Sequence, residues 1–122
     1  MATDDVTLVL IDDDADGAEM LANLLRLSGY LVHTAGDAVS GESLVERVRP
    51  HGVLIDLRMP GIDGCELAER LRARYRDDVV LIAITGADER DARVAAAFAC
   101  VDHDLRKPID AAALAKVLPP LF

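Results

Sequence analysis

The sequence predicts an α/β domain built on a doubly wound, five-stranded parallel sheet. Three observations predict it. Short apolar runs alternate five times with longer amphipathic ones, the rhythm of successive βα units. Three of the short runs, VTLVLI at 6–11, VLI at 53–55 and VVLIAI at 79–84, are almost unbroken in their hydrophobicity, as expected of parallel strands covered on both faces. The amphipathic runs are bounded by capping acids and by Gly or Pro, among them Gly29, Asp37, Pro50, Asp110 and Pro119, so each reads as a separate helix between strands.

In chain order, the first strand covers 6–11. A helix over 15–27 follows, with Met20, Leu21, Leu24 and Leu25 at helical spacing, and Gly29 stops it. YLVHT at 30–34 is a second strand; Asp37 caps a helix that runs to about Val48 and is ended by Pro50. The third strand is 53–55. Asp63-Gly64-Cys65-Glu66 reads as a capping box opening a helix to about Tyr75. The fourth strand is 79–84, an alanine-rich helix covers 88–99, and a weak fifth strand lies at 102–106. Asp110 caps a last helix over 111–118, ended by Pro119-Pro120. Right-handed crossovers between these units place helices on both faces of the sheet.

A length of 122 residues, 52% of them hydrophobic, fits one domain with an ordinary core. The formal net charge of −9 argues against direct nucleic-acid binding and against anionic membranes. It suits a site that concentrates a divalent cation, although many of the acids serve solubility. Cys65 and Cys100 form no CxxC pair and no zinc-like cluster, so a reduced, cytoplasmic setting is expected. The acidic start shows no signal peptide, and no apolar run is long enough to span a membrane.

In an open parallel sheet, ligands sit beyond the carboxyl ends of the strands. Asp12, Asp13 and Asp14 follow the first strand, Asp56 the third, Thr85 and Gly86 the fourth, and Lys107 and Pro108 the fifth. Clustered carboxylates repel one another unless a cation neutralises them. Mg²⁺ suits such an open oxygen site, keeping waters and admitting a phosphate oxygen. Asp56 can then act as a carboxylate nucleophile on phosphorus, with Lys107 neutralising the transferred group and Thr85 hydrogen-bonding one of its oxygens.

On the segments LVLIDDDAD (8–16), VLIDLRMPGIDG (53–64), IAITG (82–86) and DLRKPID (104–110), the chain resembles the receiver domains of response regulators and hybrid histidine kinases over nearly its whole length. The resemblance implies a (βα)5, flavodoxin-like receiver fold with strand order 2-1-3-4-5. It implies that Asp56 is the phosphoacceptor, that Asp12 and Asp13 hold Mg²⁺, Asp13 more directly, and that the Arg58 carbonyl completes the protein ligands. Thr85 would be the switch hydroxyl, Lys107 the site lysine, and the peptide before Pro108 would be cis. The implied donor is a histidine kinase, a phosphotransfer protein or a small acyl phosphate. The implied output is a changed face formed by the fourth helix, fifth strand and fifth helix, on a monomer or a weak phosphorylation-dependent dimer. With no effector segment after Phe122, a stand-alone regulator or a receiver excised from a hybrid kinase is expected.

Two departures stand out. Receivers usually carry an aromatic residue or His three positions before the lysine, where this chain has Asp104; His103 should face the other way on a strand. Cys100 replaces a glycine usual before the fifth strand. Arg58 and Ala87 occupy variable rim positions and are expected to tune the lifetime of the phosphorylated state.

Other readings compete with these. Asp14 and Asp63 read as helix caps, His33, His51 and His103 as structural or surface residues, and Cys65 and Cys100 as packed helix thiols. The stripe Ala95, Ala96, Ala97, Ala99 reads as close helix packing. Two functional rivals are a degenerate receiver acting only as a docking module, which Asp104 favours, and a Mg²⁺-dependent aspartyl phosphohydrolase. The phosphohydrolase needs a second acid two residues after the nucleophile, where Arg58 stands. No multiple-turnover enzyme activity is expected.

Overall fold

The computed structural model describes residues 6–57, 64–86, 97 and 99–119. It contains β1 (Thr7–Ile11), α1 (Ala15–Leu27), β2 (Leu31–Ala35), α2 (Ala38–Val48), β3 (Gly52–Asp56), α3 (Gly64–Tyr75), a 3₁₀ turn (Arg76–Asp78), β4 (Val80–Thr85), β5 (His103–Arg106) and α4 (Ala111–Val117). The strands form one parallel sheet in the order β2-β1-β3-β4-β5. The expected fold class and strand order are therefore observed. Of the helix expected over 88–99, only Ala97 and Ala99 fall within the described residues: Ala97 is helical and buried, and Ala99 lies in the turn that follows.

The boundaries follow local chemistry. The Asp14 side chain accepts a hydrogen bond from the Gly17 amide at the start of α1, and Gly29 just beyond its end has φ 108°, a left-handed conformation natural to glycine. Asp37 caps α2, accepting from the Ser40 amide at 2.7 Å. Arg49 ends α2 with φ 53° immediately before Pro50. Asp110 caps α4 by accepting from the Ala112 amide. Strand edges move by a residue: Tyr30 precedes β2 rather than opening it, and its hydroxyl donates to the Pro119 carbonyl at 2.8 Å. The Asp63 cap lies outside the described residues.

Strand alternation divides the core into two layers. Val9, Ile11, Val53, Ile55, Leu81 and Ala83 pack with α2 and α3. Leu8, Leu10, Leu54, Ile82, Ile84 and Leu105 pack with α1 and α4. The central strands are thus buried on both faces, whereas the edge strands β2 and β5 are largely exposed.

Two expectations change. Only part of the apolar series on α1 serves the core: Ala18, Ala22 and Leu25 are buried, but Met20 and Leu27 are 75% and 87% exposed. Cys65 is a buried helix thiol as expected, but Cys100 lies in a turn, its amide bonded to the Ala97 carbonyl.

A hub holds the lower edge of β4 and β5. The Arg72 guanidinium of α3 donates to the carbonyls of Cys100 and Arg76 and pairs with Asp102 at 2.6 Å. Asp102 also accepts from the Leu81 amide. Burial alone would raise the Asp102 carboxyl, but the Leu81 amide and then Arg72 together hold it below its usual range. None of the described helices is long and apolar enough to cross a membrane.

Candidate functional site

The chain leaves β1 for β2 on one side and reaches β3 on the other, so the topological switch point lies between β1 and β3. Register then dictates which residues meet. Ile11 pairs with Ile55, which puts Asp12 beside Asp56 one residue further on. Asp56 pairs with Ile84, and Thr85 with Arg106, so Thr85 and Lys107 close the same edge. Alternation sorts them by face. Asp12, Asp56 and Lys107 continue the series of Leu10, Leu54 and Leu105, whereas Thr85 continues that of Leu81 and Ala83.

The side chains follow this sorting. The Lys107 ammonium donates to Asp56 Oδ2 at 3.0 Å and lies 3.8 Å from Asp12 Oδ2. Carboxylate oxygens of Asp12, Asp13 and Asp56 all lie within 4.8 Å of one another. Asp12 and Asp56 are buried, while Asp13 is exposed and gives the cluster an open side. That donor set, three hard oxygens with access to solvent, fits a hexacoordinate divalent cation that retains water. The Asp14 amide donates to Asp12 Oδ1 at 2.9 Å, orienting that carboxylate while Asp14 itself serves as a cap.

The charges are poorly balanced without a cation. Burial, reinforced by the neighbouring Asp56, pushes the Asp12 carboxyl up to about 6 despite the Asp14 amide and Lys107. Burial alone would lower the Lys107 ammonium, but its hydrogen bond to Asp56 and the nearby carboxylates hold it above its ordinary value.

Thr85 is 1% exposed, and its hydroxyl donates to the Leu105 carbonyl at 3.3 Å. The Lys107–Pro108 peptide is cis, as expected. Asp104 is exposed on β5, paired in register with Ala83. Arg58 and Ala87 lie outside the described residues. His33 and His103 are exposed, and His51 is structural, its Nδ1 accepting from the Thr7 amide at 3.0 Å.

Two features escaped the sequence reading. A Cβ at Gly64 would stand 2.2 Å from the Asp56 carbonyl oxygen and 2.7 Å from Leu57 Cα. Glycine therefore lets α3 begin directly against the end of β3; the signal for it is the glycine that closes the segment 53–64. A groove of about 410 Å³ also opens beside Lys107, lined among others by Asp12, Asp14, Met20, Leu21, Leu24 and Ile109. The exposure of Met20 and Leu24 belongs to that groove.

The model of the response regulator receiver domain matches residues 8–119. No curated protein matches the chain. Among solved structures, a protein described as a response regulator from Chloroflexus aurantiacus J-10-fl is 29% identical, with 92% of this chain and 93% of that one covered and a TM-score of 0.80. The receiver domain of a DNA binding response regulator from Colwellia psychrerythraea 34H is 27% identical over 92% and 94% of the two chains, TM-score 0.79. A response regulator from Burkholderia pseudomallei, solved with a phosphorylated aspartic acid, calcium ion and citrate, shares the fold at 24% identity and TM-score 0.83, over 94% of this chain and 67% of that one.

Proposed function

The chain belongs to the response regulator receiver domain family, and we propose that it is a phosphoacceptor switch in which Asp56 takes a phosphoryl group in a Mg²⁺-dependent reaction. The observation that carries this reading is the Lys107–Asp56 contact of 3.0 Å, set inside the Asp12, Asp13, Asp56 cluster at the switch point of the sheet. Asp12, Asp13 and Asp56 would hold the cation, with the Arg58 carbonyl as a further oxygen. When bound, Mg²⁺ offsets the carboxylate charge and lets a phosphate approach.

The chain's own groups supply the rest. An Asp56 carboxylate oxygen forms the new O–P bond while the bond from phosphorus to the donor's imidazole nitrogen, or to the oxygen of an acyl phosphate, breaks. The leaving group keeps that electron pair. Lys107 already reaches the acceptor oxygen and is placed to stabilise negative charge on the transferred group. Thr85 supplies a hydroxyl to a phosphoryl oxygen after turning from Leu105. Hydrolysis of the acyl phosphate by water resets the site. This is self-phosphorylation and self-dephosphorylation, not multiple turnover of an external substrate.

The donor is a histidine kinase or phosphotransfer protein in the cytoplasm, approaching over the apolar groove beside Lys107. The output is a partner whose binding changes with phosphorylation. Intact-mass spectrometry after incubation with Mg²⁺ and acetyl phosphate tests the acceptor chemistry. One added phosphoryl group that requires both Mg²⁺ and Asp56, judged against Asp56→Asn and a metal-free control, is expected. No adduct, together with no beryllofluoride binding, would overturn the reading in favour of a docking module.

A further inference from the structure

We propose that the backbone carbonyl of Leu105, not a side chain at position 104, couples the Asp56 site to the rest of this domain; this rests on the phosphoacceptor reading above. Thr85 is fastened to β5 twice. Its hydroxyl donates to the Leu105 carbonyl at 3.3 Å, and its own carbonyl accepts from the Lys107 amide at 3.0 Å. Lys107 in turn reaches Asp56 through its ammonium. The end of β5 therefore carries a contact to each group that must re-aim when Asp56 is phosphorylated.

A threonine hydroxyl has one proton to donate. It can serve the Leu105 carbonyl or a phosphoryl oxygen, but not both. Capture of Thr85 by the phosphoryl group removes its hydroxyl from the Leu105 carbonyl. The Leu105 side chain is only 5% exposed and belongs to the cluster that contains Ile82, Ile84 and the α4 residue Leu114. A shift of β5 at Leu105 is thus passed into the α1–α4 layer. Leu114 also lines a second groove, of about 230 Å³, together with Leu24, Tyr30 and Leu118. Asp104 is exposed and alternates to the other face of the strand. With no ring at 104 to swing inward, the route through Leu105 needs none.

Carbonyl-carbon and leucine-methyl NMR, recorded with and without beryllofluoride and Mg²⁺, tests this. A protein-bound fluorine signal establishes the adduct independently. In the wild type, the Leu105 carbonyl carbon is expected to move upfield on adduct formation as it loses a donor, and the Leu114 methyls to shift with it. Both changes persist in Asp104→Ala and in Thr85→Ser, which keeps the hydroxyl. In Thr85→Val, the Leu105 carbonyl lies upfield before any addition and does not respond.

An adduct in the wild type with Leu105 and Leu114 unmoved overturns the coupling and leaves the acceptor reading standing. So does a response in Thr85→Val equal to that of the wild type, or one lost in Asp104→Ala. No fluorine signal at all overturns the acceptor reading and the coupling with it.

Discussion

Taking the metal-free protein from pH 5 to pH 7.5 is expected to weaken the fold through Asp12. Its carboxyl is held at about 6 in the folded domain against 3.8 in an unfolded chain. The folded state thus binds the proton more tightly, and stability falls as pH rises through that window. Below about 3.8 both states are protonated and nothing is lost; above about 6 the full cost of the buried, ionised group is present. The shift corresponds to a few kcal/mol in all, of which roughly half falls between pH 5 and 7.5.

Urea unfolding at the two pH values measures the loss as a change in midpoint at constant slope. Asp12→Asn keeps an acceptor for the Asp14 amide but cannot ionise, so the difference between the two proteins isolates this group. Added Mg²⁺ reverses the loss, by about 2.7 kcal/mol at a hundred times its dissociation constant. Its effect is smaller at pH 5, where a proton must leave before the oxygen can ligate. Parallel pH dependence in wild type and Asp12→Asn would refute the argument, as would equal stabilisation of both by Mg²⁺.

Other perturbations separate the parts of the domain. Gly64→Ala forces a methyl against the backbone of Asp56 and Leu57, which cannot retreat as a side chain could; thermal unfolding should show a loss of about 1–3 kcal/mol or more. Lys107→Met removes the cation beside Asp56; if Asp56 is the acceptor, as proposed, single-turnover transfer from acetyl phosphate should slow by roughly 10²–10³-fold, and an unchanged rate would remove Lys107 from the chemistry. Arg72→Met unties α3 from the strand edge; a double-mutant cycle with Asp102→Asn should give a coupling of roughly 0.5–1 kcal/mol, since the ion pair is partly exposed. Tyr30→Phe deletes the bond to the Pro119 carbonyl and should cost about 1 kcal/mol by denaturant titration.

The legibility of the site in the sequence follows from register. A parallel sheet with nearly level strand ends converts position after a strand into position in space. Asp12, Asp56 and Lys107 each directly follow, or end, an apolar series on the same face, so a one-dimensional pattern sufficed to predict that they meet. Thr85 also follows a strand, but alternation puts it on the other face, and its hydroxyl is engaged by a backbone atom. Side-chain identity carries no record of such a partner. Gly64 is a related case: the role of a residue without a side chain is set by what its neighbours would strike, which is a tertiary fact. Arg72 was equally silent, because its partners include carbonyls and Asp102 some 30 residues away.

The helix α1 shows how periodicity can mislead about burial. Met20, Leu21, Leu24 and Leu25 repeat as a core stripe would, yet the small residues Ala18 and Ala22 take the buried positions with Leu25. Small side chains let α1 lie close to the sheet, and the larger ones are displaced outward, where they wall the groove beside Lys107. An apolar surface next to a cluster of charges costs solubility without aiding the core. The same displacement leaves Asp12, Asp14 and Lys107 lining one groove with these apolar side chains, an arrangement that the periodicity of α1 does not reveal.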